Sequence, residues 1–135
     1  MAPPRYRTLA HGADLRVAVW GADAEQLLGH AVLAVAALAL GATPRALPTA
    51  RAAIRPWPGD LASQLVRAAN EAIFVLAGHS SLPVGVALEG RRAFLLLAPW
   101  PAARPLEREI KAATYHDLRP RRRAGRLAAT ITLDV

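Results

Sequence analysis

Asp14, Lys111 and Asp134 are the residues of this sequence whose types and positions could do chemistry together. Two carboxylates near opposite ends of a chain make a site only if those ends meet. Oxygens of Val135, which follows Asp134, would enlarge the cluster, and its terminal carboxylate would add charge where no further residue follows. An all-oxygen set of this kind suits calcium or magnesium, and manganese accepts it too. Lys111 is the only lysine in the chain. Taken alone, Asp14 also fits an Asx-turn at a strand entry beside Gly12.

Other chemistries find less support. Without cysteine there is no disulfide, no thiolate zinc site and no cysteine nucleophile. The histidines, His11, His30, His79 and His116, do not fall at metal-ligand spacing, and HExxH is absent. His30 reads as a satisfied boundary residue of a helix and His116 as a buried residue on an apolar strand face. His79, with Ser80 and Ser81, has no acid partner in the pattern, so no triad is assembled from it. The phosphate-cradling motifs GxxxxGK[ST] and GxGxxG are absent.

The elements that must position these residues follow from periodicity. Leu15, Val17 and Val19 alternate with Arg16, Ala18 and Trp20, which predicts a half-buried strand ending at Gly21. Asp23 and Gln26 form a capping-box pattern ahead of a helix over Ala24–Leu40, stopped by Gly41 and Pro44. A short strand over Ala50–Ile54 precedes Pro56 and Pro58. Asp60 caps a second helix from Leu61 to about Ala77, with Gly78 as its C-terminal glycine. Val84 to Leu88 and Ala93 to Ala98 are strands joined by a turn at Glu89-Gly90-Arg91. Two last strands, Ile110–Leu118 and Leu127–Val135, flank an arginine-rich turn. The class is α+β, one domain over residues 1–135, two helices packed on a largely antiparallel sheet.

The terminal hairpin has a register that the apolar pattern predicts. If Ile110, Ala112, Thr114, His116 and Leu118 share the buried face with Leu127, Ala129, Ile131, Leu133 and Val135, then Lys111 pairs with Asp134, Ala113 with Thr132 and Tyr115 with Thr130. A β-bulge would break this assignment.

Net charge is +7, carried almost wholly by arginine. Arg119, Arg121, Arg122, Arg123 and Arg126 cluster near the last turn, as a solvated hairpin tip or as contacts to RNA phosphates or an acidic partner. The even spread of alanine and arginine also fits a plain compositional bias. Trp20, Trp57 and Trp100 do not form a stacking series like that of an RNA-recognition sheet. The most apolar stretch, Ala31 to Ala42, is about half the ~20 residues a membrane span needs. No apolar run closely follows the N-terminal basic residues, so no signal peptide is expected, and the absence of cysteine fits the cytoplasm.

Three separated motifs, in order, resemble the archease family. His11-x-Ala13-Asp14 opens a strand that ends in Gly21 and leads into a helix. Leu65, Val66, Arg67, Asn70, Glu71 and Val75-Leu76 lie along the second helix, and Lys111, Ala112, Thr114, Tyr115 and His116 precede a closing Leu133-Asp134-Val135. Together they span roughly half the chain. Gly12 replaces a usual threonine, Ala68 and Ala69 replace a bulkier helix centre, and the basic balance departs from the family's acidic habit.

The resemblance implies a non-catalytic accessory protein that activates an RtcB-type RNA ligase in tRNA splicing or RNA repair, promoting guanylylation and turnover of the ligase. It implies metal-linked carboxylates at Asp14 and Asp134, an oxygen from Val135, and Lys111 as the activating lysine. The ligase would be the partner, RNA an indirect one, and no membrane is involved. Two other readings stay open: a metal-dependent hydrolase or nuclease, and a basic RNA-binding module built on the arginine-rich turn.

Overall fold

The computed structural model describes residues 6–11, 14–101, 105–115 and 120–135. The elements in chain order are β1 (Tyr6–His11), β2 (Asp14–Gly21), α1 (Ala24–Leu40), β3 (Ala50–Ala53), α2 (Leu61–Gly78), β4 (Ser81–Glu89), β5 (Arg92–Pro99), β6 (Ala112–Tyr115), β7 (Arg121–Arg123) and β8 (Arg126–Asp134). The fold is the expected α+β arrangement, with two antiparallel sheets. In one, β1, β2, β8 and β6 lie side by side, with β7 also paired to β8; in the other, β5 lies between β3 and β4.

Helix α1 forms where the caps and the Ala-rich run predict it. The Asp23 side chain accepts the Gln26 N–H at 2.9 Å, and Gln26 Oε1 accepts the Ala22 N–H at 2.9 Å. The helix is apolar nearly all round and is buried accordingly: it packs on α2 and touches both sheets through β2 and β4. Gly21 is required just before it, since a Cβ there would lie 2.7 Å from the Leu27 nitrogen. At the other end Gly41 takes φ +79°. There the Ala39 carbonyl accepts the N–H groups of Glu107 and Arg108 at 2.8 and 3.2 Å.

Helix α2 starts at Asp60, whose carboxylate accepts both the Ser63 N–H and the Ser63 hydroxyl at 2.9 Å. It runs one residue past the expected end. Gly78 remains helical, and His79 adopts the left-handed conformation at φ +56°. The ring of His79 meets Trp100 edge-on, with centroids 5.0 Å apart. Arg67 pairs with Glu71 one turn on and donates to the carbonyls of Arg55 and Pro56, tying α2 to the loop after β3. The Arg55–Pro56 peptide bond is cis.

The buried cluster joins Val17 and Val19 of β2, Ala129, Ile131 and Leu133 of β8, the body of α1, one stripe of α2, and Leu82, Val86 and Leu95 of the second sheet. Inward and outward residues alternate along β2 and β8. The other face of the five-stranded sheet therefore presents Asp14, Arg16, Ala18 and Trp20 beside Asp134, Thr132, Thr130 and Ala128. No helix among the described residues is long and apolar enough to cross a membrane.

Candidate functional site at the paired strand ends

Strand β2 begins at Asp14 and its neighbour β8 finishes at Asp134, and the antiparallel register puts these two residues directly opposite each other. Direct partners have Cβ atoms roughly 5 Å apart and share a face. Both aspartates are exposed, and the pair beneath them in sequence, Leu15 opposite Leu133, packs into or against the core. Asp is depleted in strands, and like charges directly opposite are destabilising. The core fixes the register, and the register forces the two carboxylates together.

Lys111 sits at the same end by a different route from the one the apolar pattern predicts. Its backbone N–H donates to the Asp134 carbonyl at 2.8 Å, yet the strand partner of Asp134 is Ala112. Lys111 precedes β6, and the pairing continues without a shift as Ala113 with Leu133, Thr114 with Thr132 and Tyr115 with Ile131. The expected pairs Ala113–Thr132 and Tyr115–Thr130 are displaced by one residue. The cause is that Ile110 is buried ahead of the strand, at 7% exposure, while Ala113 at 3% takes the inward position within it. Thr114 is exposed, and the apolar face assigned to Ala112 and Thr114 points outward. His116 and Leu118 lie outside the described residues. The Lys111 side chain is exposed; among the described residues the ion pairs are Arg51–Glu89 and Arg67–Glu71, so it forms none with either aspartate.

Asn70 of α2 holds this edge in place. Its Oδ1 accepts the Ala113 N–H at 2.9 Å and its Nδ2 donates to the Ala113 carbonyl at 2.9 Å, as a neighbouring strand would. The sequence pattern contains Asn70 but does not show its partner, which lies 43 residues away.

As a cation site the cluster supplies hard oxygens: two side-chain carboxylates, with the backbone of Val135 adjoining. Among the described residues no group of three or more His, Cys, Asp or Glu is close enough to hold a metal ion. The donor type fits a hard divalent cation, and two carboxylates leave most of its six to eight positions to other oxygens.

The arginine-rich segment is not a turn. Arg121, Arg122 and Arg123 form β7 and pair with Ala128, Leu127 and Arg126, while the turn is Ala124-Gly125, both at positive φ, +52° and +77°. Arg119 lies outside the described residues. The Arg126 guanidinium lies 5.1 Å from the Trp20 ring centre. His30 is a satisfied boundary residue as expected, its Nδ1–H donating to the Trp20 carbonyl at 2.7 Å.

Two helices packed with antiparallel sheets, and a five-stranded sheet that joins the first motif to the last, define a small α+β fold. A model of the archease protein family (MTH1598/TM1083) matches residues 6–135, and the chain belongs to that family. The fold is similar to the solution structure of Methanobacterium thermoautotrophicum protein 1598, with a TM-score of 0.70 at 19% identity over 98% of this chain and 100% of that one. It is also similar to the crystal structure of an archease, TM1083 from Thermotoga maritima, described as a possible chaperone. There the TM-score is 0.62 at 20% identity, over 100% of this chain and 98% of that one. No individually curated protein matches the chain.

Proposed function

We propose that this chain is a non-catalytic accessory that acts in the cytoplasm on an RtcB-type RNA ligase, promoting its guanylylation and repeated turnover in tRNA splicing or RNA repair. Asp14, Asp134 and an oxygen of Val135 hold a divalent cation (calcium, magnesium or manganese), and Lys111 contacts phosphate or the ligase. The observation that supports this most is the direct pairing of Asp14 with Asp134, with Lys111 tied to the Asp134 carbonyl. When bound, the cation neutralises the two opposed charges and would be the largest local charge at this end of the sheet.

The exposure of the pair also favours an accessory role. A site that supplies two carboxylates on an open strand end is completed by oxygens from elsewhere, such as water, substrate phosphate or the partner. Archease membership and the described role of the Thermotoga protein as a possible chaperone are in keeping with action on another protein. The test is a purified ligase assay that times the guanylylated intermediate. D14A, D134A and K111A each lose activation while keeping the circular dichroism of the parent. Full activation by all three variants would overturn the proposal.

A further inference from the structure

The outward face of the five-stranded sheet carries a second feature at the end opposite Asp14 and Asp134. A cavity of about 380 Å³ opens there, floored by Ala18, Ala128 and Thr130 and walled by Trp20, Arg121 and Arg123. Small floor residues leave room above the strands, and no acidic side chain lines the cavity. Arg126 stacks over Trp20 at the rim, and Arg7, opposite Ala18 on β1, extends the positive charge across the sheet. One row nearer the acidic end, Arg16 and Thr132 face each other across β2 and β8. Their Nε and Oγ1 atoms are covered but have no hydrogen-bond partner.

We infer that this cavity binds one nucleotide of a single-stranded nucleic acid, its base against Trp20 and its backbone phosphates against Arg121, Arg123 and Arg126. Flat apolar surface flanked by guanidinium groups is the combination that single strands use, with stacking for the base and bidentate contact for the phosphate. The volume lies in the range of small-ligand sites and suits one nucleotide rather than a duplex. An acidic protein segment would satisfy the arginines but has no use for the indole. The inference does not depend on the ligase reading, because the nucleotide cavity and the carboxylate pair stand at opposite ends of β2, about 20 Å apart by strand geometry.

The test uses the whole purified chain and a fluorescein-labelled eight-residue oligoadenylate, without ligase. Anisotropy shows saturable binding that quenches tryptophan emission. Its affinity falls with salt, and the logarithmic slope drops by about 0.7 for each arginine removed. W20A weakens binding by about tenfold. R121Q/R123Q, at exposed positions where folding is not at stake, weakens it and flattens the salt slope. D14N does not weaken it, so this reading and the ligase reading fail separately. The inference is overturned by absence of saturable binding at low salt, or by W20A or R121Q/R123Q binding as tightly as the parent chain. Polyphosphate or polyglutamate of matched charge binding as tightly as the oligoadenylate would also overturn it.

Discussion

Asp14 faces Asp134 across the junction of β2 and β8, two exposed carboxylates held on one side of the sheet by the neighbouring pair, buried Leu133 and half-buried Leu15. Their proximity is a cost that the core imposes. It gives a measurement independent of any ligase.

In the absence of divalent cations, D14N or D134N removes the cross-strand repulsion and raises stability by about 0.2–1 kcal/mol. Adding calcium or manganese reverses the ranking: the parent chain gains about 2.7 kcal/mol at a hundredfold excess over Kd, and the variants gain less. Thermal melts with and without chelator check both halves. A parent melting temperature indifferent to every cation would count against a cation at these carboxylates.

Asn70 replaces a missing strand at the β6 edge, so N70A leaves the Ala113 N–H and carbonyl without partners. The expected loss is about 1–3 kcal/mol. Hydrogen exchange at Ala113 quickens more than at the centre of β8. Equal acceleration everywhere would point to general destabilisation instead.

Ala124 pays for the β7–β8 turn in backbone strain, since it holds φ +52° with a Cβ. Asn is at home there, and Asn-Gly is the preferred pair for a two-residue turn with both φ positive. A124N therefore raises stability by about 0.5–1 kcal/mol, read from denaturant midpoints at constant m.

The two Ser63 donors hold the Asp60 carboxyl below its ordinary 3.8. A carboxyl whose pKa is depressed by folding adds stability that is present above its unfolded value and is lost as pH falls through the folded one. D60N keeps a cap acceptor but has nothing to titrate. Its stability relative to the parent improves as pH falls below about 4.

How much of this was readable in advance differs by element. Both helices were legible because caps and period agree: Asp23 with Gln26, and Asp60 with the Leu61–Leu65–Ala68–Ala72 stripe. The end of α2 was not, since Gly78 invited a stop that His79 makes instead. Strand β1 was missed: it is an edge strand whose Arg7 and Thr8 are exposed, so burial leaves little mark on its sequence. Strand β7 is three arginines and gives no apolar alternation at all; pairing with β8 and the turn between them create it.

The candidate site shows the same division. The meeting of Asp14 with Asp134 is implied by the family resemblance but is only a condition in the apolar pattern, which pairs the last two strands with each other and leaves the partner of β2 open. Lys111 lies beside Asp134 as the pattern places it, but the register differs by one residue: Ala113 rather than Ala112 takes the inward position, and a one-residue slip exchanges the two faces of a strand. Trp20 and the β7 arginines come together only through three strands, and nothing in their spacing announces it.

Strand β8 is the common partner of β2, β6 and β7, and it carries Arg126 at one tip and Asp134 at the other. An extended backbone with neighbours on both sides is close to inextensible, so the molecule contains a ruler. The gap between its cationic and anionic tips is fixed at about 26 Å by eight peptide steps, whatever the surrounding loops do. Lengthening β8 by a single residue would stretch that gauge by only about 3.3 Å, but it would turn one tip to the opposite side of the sheet.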